Sequence, residues 1–193
     1  MVAKKTFFSR LDSKWNKFER RITHNFTEFQ LKLWDMLVFI TRFLVLALPF
    51  YFVLWINFNA YPLQLLTAKT VSYVLGLLGV GHELNGHFIY LPSVLWTIEI
   101  IKDCVGWKSI MALWGLIFAT RGISYKKKFY GALVGVPLIF MGNIIRISSS
   151  VWLSTIFGLD KFEFIHDFLW QWGLIALVLG IWWAWLSKMT TKY

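Results

Sequence analysis

Cys104, the only cysteine of the 193-residue chain, lies in the stretch Asp103-Cys104-Val105-Gly106-Trp107-Lys108-Ser109. Two other reactive groups, Arg146 and His166, fall at the matching ends of the next two apolar segments. A thiol, a guanidinium and an imidazole are the parts of a nucleophilic site. The thiolate attacks a carbonyl, the imidazole moves a proton, and fixed positive charge holds the developing oxyanion. A lone cysteine in an apolar chain is ordinarily just a small hydrophobic residue. Here a helix N-terminus and nearby cations are expected to lower the thiol pKa, and Gly106 would let a substrate carbonyl approach the sulfur.

Arg146 within a membrane span is costly unless it is paired or lines a wet cavity. Its two readings are therefore a functional group or an ion pair with Asp103 or Asp167. Asn143 stands three residues earlier on the same helical face, which Ser149 and Ser150 continue. Asp103 and Lys108 are placed to tune the rim of the site, and Asp167 flanks His166 in an N-cap neighbourhood. His82 and His87 are competing imidazoles, in a Gly81–His87 stretch with turn chemistry. The outer histidines with Glu83 or Asp167 could in principle bind metal, but no HExxH-type spacing supports it. Neither a metal nor a cofactor is expected.

The elements that must position these groups follow from composition. The chain is 58% hydrophobic, 19% aromatic and only 16% charged, and apolar segments near the length of a membrane span recur along it. This is the pattern of an all-α integral membrane protein. The formal charge of +10 does not point to nucleic acid, because the basic residues cluster at segment ends and no binding motif accompanies them. A single cysteine makes no internal disulfide. About 35 polar and basic residues precede the first apolar run, so no cleavable signal is expected there.

Residues 1–35 carry apolar side chains spaced mostly by three or four among lysines and arginines. They read as a cytoplasmic amphipathic segment lying on the membrane and its lipids. Residues 36–187 form the membrane domain and 188–193 a cytoplasmic tail. Four full spans are expected, near 36–58, 105–120, 129–157 and 165–186, with Arg42 an interfacial anchor in the first. Leu63–Val80 reads as an outer re-entrant or interfacial helix, and the segments near 88–90 and 95–101 as a short extracytoplasmic β-hairpin.

Fourteen of the 20 Lys and Arg residues fall in the N-terminal segment, the Arg121–Lys128 loop and the tail, which places these inside. Cys104 then starts an inward helix on its outer side, and His166 starts another. Arg146 lies ~25 Å along the helix that returns between them. All three would meet on the extracytoplasmic side of a multi-pass protein of the cell membrane.

These residues resemble the exosortase/archaeosortase family of membrane Cys transpeptidases. The match lies in Cys104-Val105-Gly106 followed by Ser109, in Gly142-Asn143-Ile144-Ile145-Arg146-Ile147, and in His166-Asp167. The Asn-x-x-Arg element is the most specific, and order and spacing agree over residues 70–187. The resemblance implies Cys104 as catalytic thiol, Arg146 as its arginine, and His166 at a position that is His or Arg depending on the branch. It further implies membrane-anchored protein substrates ending in a short motif, a transmembrane helix and a basic cluster. The new C-terminus would pass to an acceptor, a lipid in archaea. A basic amphipathic segment stands here where many members have further N-terminal spans.

Two other readings compete. In a substrate-binding subunit of a transporter, Arg146 would hold an anionic ligand and Cys104 would be dispensable. In a simple membrane Cys protease, water would resolve the thioester.

Overall fold

The computed structural model describes residue 15 and residues 17–56, 59–158 and 172–190. Two compact units divide the chain, Met1–Arg42 and Phe43–Tyr193.

In the first unit, residues 17–23 form helix α1. Helix α2 spans Glu28–Trp55 and continues into the second unit. It begins eight residues before the expected first span because Thr27-Glu28-Phe29-Gln30 is a capping box. The Thr27 N–H donates to Gln30 Oε1 at 2.9 Å and the Gln30 N–H to Thr27 Oγ1 at 3.4 Å. The Thr-x-x-Gln pattern was the available sequence signal for that start. Trp34 Nε1 donates to Glu19 at 3.0 Å and joins α1 to α2. Arg42 lies over the Trp15 ring, 6.0 Å from its centroid, so its charge is held by an aromatic face.

The second unit continues with α3 (Tyr61–Leu77), where the expected non-crossing helix falls. An antiparallel meander follows: β1 (Glu83–Asn85), β2 (Phe88–Leu91) and β3 (Trp96–Glu99), in that order across the sheet. The expected hairpin is β2–β3. The sequence reading missed β1, because Gly81–His87 is so rich in turn residues. Its Gly86 does turn, at φ +61°, and Glu83 pairs with Tyr90 beyond it. A 3-10 turn, Lys102–Val105, leads to α4 (Trp107–Ala119), then α5 (Tyr125–Phe157) and α6 (Leu174–Thr190).

Among the described residues, two helices are long and apolar enough to cross a membrane: α2, over Glu28–Val53, and α5. Helix length among the described residues supports two of the four expected spans and leaves the other two unconfirmed. Helix α4 has 13 residues, or ~20 Å, against a hydrocarbon core of ~30 Å. It is short because Gly106, at φ +76°, separates it from the preceding 3-10 turn. Helix α6 is a shorter apolar helix, and residues 165–171 of the expected last span lie outside the described residues.

The helices α4, α5 and α6 pack on one another through glycines of α5. A β-carbon on Gly131 would collide with Trp185, one on Gly135 with Leu113 and one on Gly142 with Leu177. Trp182 and Trp185 of α6 donate to Thr120 Oγ1 at 3.1 Å and to the Lys127 carbonyl at 3.3 Å. Lys128, expected in the Arg121–Lys128 loop, stands in the first turn of α5. It is buried, and its Nζ donates to the Phe118 carbonyl at 3.0 Å, satisfying the end of α4. A second core joins α3, the sheet and α5 through Val71, Leu75, Ile89, Leu91, Ile100 and Ile147.

Candidate active site

Cys104 is carried on the 3-10 turn, not in the first turn of α4. Three features hold that turn. Its own N–H donates to the Ile101 carbonyl at 2.9 Å. Gln64 of α3 donates from Nε2 to the Ile100 carbonyl at 2.9 Å. Asn143 of α5 donates from Nδ2 to the Cys104 carbonyl at 2.7 Å. The Gly106 backbone lies against this amide, where a β-carbon would come 3.3 Å from Asn143 Cγ. The absence of a side chain at Gly106 thus makes room for Asn143.

Asn143 and Arg146 are both buried on one face of α5, as their spacing implied. The Arg146 charge acts on the Cys104 thiol, so the structure brings these two groups into one electrostatic neighbourhood. Ser149 and Ser150, which continue that face of α5, spend their hydroxyls on the helix itself. Their hydroxyls bond back to the Arg146 carbonyl at 3.0 and 2.8 Å. Asp103 forms an ion pair with Lys108 at 2.9 Å, with both side chains part-exposed, and so stands at the rim.

The expected lowering of the thiol pKa is reversed. Burial pushes the Cys104 thiol above its ordinary range, and Arg146 and the Ile101 backbone pull down without overcoming it. The carboxylates of Asp103 and Glu99 push it further up. A cysteine protonated at rest requires a base before it can attack.

A cavity of about 390 Å3 opens beside this turn, lined by Asp103, Gly106, Lys108, Ser109, Trp172 and Ile175 among others. Ser109 thus lies on the cavity wall. Trp172, just before α6, and Ile175, in its first turn, were not singled out from the sequence, since nothing distinguishes them from the other apolar residues there. A second, apolar groove of about 520 Å3 runs between α2 and α4, with Phe50, Met111 and Trp114 on its walls, and Lys108 borders both spaces.

His166 and Asp167 lie outside the described residues. The competing histidines are engaged elsewhere. His82 Nε2 meets Ser72 Oγ at 2.7 Å and its Nδ1 the Val80 carbonyl at 2.8 Å, while His87 faces Glu99 at 3.4 Å. No metal-holding group of His, Cys, Asp and Glu occurs among the described residues.

The family model described as transmembrane exosortase matches residues 26–184, most of the chain. The chain belongs to the transmembrane exosortase family. No curated protein and no solved structure matches it. Exosortase membership makes the chain a membrane protein. At the level of the family it is a cysteine transpeptidase that sorts proteins carrying a sorting signal. The match covers Cys104, Asn143, Arg146 and His166 alike.

Proposed function

We propose that this exosortase cleaves a C-terminal sorting signal through a Cys104 thioester and transfers the new C-terminus to a lipid acceptor. The observation that carries this reading is the convergence of α5 on the thiol. Asn143 grips the Cys104 carbonyl, and the Arg146 charge, one turn on, acts on the Cys104 thiol.

In the first step His166 takes the thiol proton, and the Cys104 sulfur adds to the substrate carbonyl. Arg146 stabilises the oxyanion, a role in which one preorganised group typically contributes ~3–4 kcal/mol. Collapse expels the leaving amine, which takes the proton back from His166 and leaves a thioester on Cys104. An amine or hydroxyl of the acceptor then attacks the thioester and releases the thiol. The raised thiol pKa supports this order, because it calls for a base such as His166. The substrate's transmembrane helix would dock between spans, with its basic tail inside and the site facing out. The apolar groove between α2 and α4, bordered by Lys108, supports such a docking path.

The test uses a membrane protein ending in a short motif, a transmembrane helix and a basic cluster, co-expressed with wild-type chain or with Cys104→Ala. Intact mass of its C-terminus should show truncation plus an added group with wild type, and full-length substrate with Cys104→Ala. Processing that survives Cys104→Ala rejects thiol catalysis. Truncation with no added mass rejects transfer in favour of hydrolysis.

A further inference from the structure

Strand β3 ends five residues before Cys104 and pairs only with β2 among the described residues. Its register fixes which backbone groups face outward. The Ile100 N–H donates to the His87 carbonyl at 2.9 Å, so that pair is a hydrogen-bonded one. Alternation along an antiparallel ladder then makes Ile98–Ile89 and Trp96–Leu91 hydrogen-bonded pairs as well. Thr97 and Glu99 therefore turn their N–H groups to the open side. Neither N–H meets an acceptor among the described residues, and both residues are exposed.

Open edges are ordinarily blunted by a Pro, a Lys, a bulge or a covering element. The sequence Trp96-Thr97-Ile98-Glu99 has no Pro or Lys, and its pairing with β2 runs without a bulge. The other edge, β1, lies on the far side of β2 from this strand. The end of β3 is also close to the chemistry, since the Glu99 carboxylate acts on the Cys104 thiol.

We infer that the extended segment of the protein substrate around the scissile bond binds as a fourth strand on the outer edge of β3. The Thr97 and Glu99 N–H groups donate to substrate carbonyls, and this lays the substrate backbone beside Cys104. Strand addition takes affinity from main-chain hydrogen bonds and selectivity from alternate side chains. Trp96 and Ile98, half-buried, and Ile101, exposed, supply apolar contacts for those side chains. The inference rests on the sorting-transpeptidase reading and adds to it where and how the peptide is held.

The decisive variant is Thr97→Pro. Proline is tolerated on an edge strand with its missing N–H on the open side, so the β2–β3 pairing survives. Full-length protein in lipid nanodiscs is used, in a Cys104→Ala background that cannot turn over. The probe is the same tailed membrane protein that tests the proposed function. Loss of one backbone hydrogen bond should weaken its binding about tenfold. Circular dichroism and thermal unfolding of the same double variant report whether the fold is kept. An independent measurement needs no variant on the strand: amide exchange at Thr97 and Glu99 should slow when the probe binds to Cys104→Ala. Unchanged affinity in a folded Thr97→Pro chain, or unchanged exchange at both amides with probe bound, overturns the inference. Processing that survives Cys104→Ala instead overturns the thiol reading, and the exchange experiment still reads the strand.

Discussion

Cys104 combines a partly buried thiol, one buried arginine acting on it and two carboxylates opposing that arginine. The balance leaves its pKa above the ordinary thiol value, which is ~8.5. The protonated form is the one favoured by burial, so thiolate appears only as pH rises past that value. The rate of iodoacetamide labelling at Cys104, followed by mass spectrometry, should therefore climb through the alkaline range with a midpoint above ~8.5. Arg146→Gln removes the largest influence holding the pKa down, so it should shift that midpoint further up and slow labelling at neutral pH. A midpoint below the ordinary thiol value, or one unmoved by Arg146→Gln, would contradict this account. At this scale the residue types were legible in the sequence, but the sign of the thiol shift was not. Desolvation depends on what covers the sulfur, and the covering residues come from distant segments.

At the scale of elements, the decisive contact is between the 3-10 turn and α5. Gly106→Ala forces an L-residue to φ +76°, at a cost of roughly 1–2 kcal/mol. It also presses a methyl on Asn143. Processing should fall while the spans remain folded, as read by intact mass beside circular dichroism. Wild-type processing in Gly106→Ala would show that the Cys104–Asn143 grip is dispensable. The α5–α6 interface makes a separate prediction. Gly142→Ala places a methyl into Leu177 and should cost ~1–3 kcal/mol, as overpacking typically does. Leu177→Ala in the same chain should restore part of that loss in thermal unfolding. Additive losses would exclude direct contact as the cause.

For the whole molecule, the expectation to be tested from the charge pattern is that the N-terminal segment and the Arg121–Lys128 loop lie on one side of the membrane and residues 83–99 on the other. A Cys104→Ala chain given one new thiol, by Glu83→Cys or by Lys126→Cys, tests this with an impermeant maleimide added to intact cells. Labelling of Glu83→Cys but not Lys126→Cys is expected. The reverse pattern would place the thiol site on the cytoplasmic side. Helix α4 bears on the same question, since at ~20 Å it is shorter than the hydrocarbon core.

The sequence alone established the class of molecule and the order of its apolar segments, and it set Asn143 and Arg146 on one helical face. Composition and the Asn-x-x-Arg spacing on one helical face are local properties, and they need no partner to be read. Asn143 and Arg146 share a face because three residues nearly complete a helical turn. The tertiary structure alone decided what each group does to its neighbours. Asn143 grips the Cys104 carbonyl, the serines after Arg146 serve their own helix, and Lys128 closes α4. It also turned the expected hairpin into a three-stranded meander whose last strand pairs only with β2 among the described residues. Those outcomes depend on which backbone groups are left unsatisfied when distant segments meet, and no local spacing encodes that.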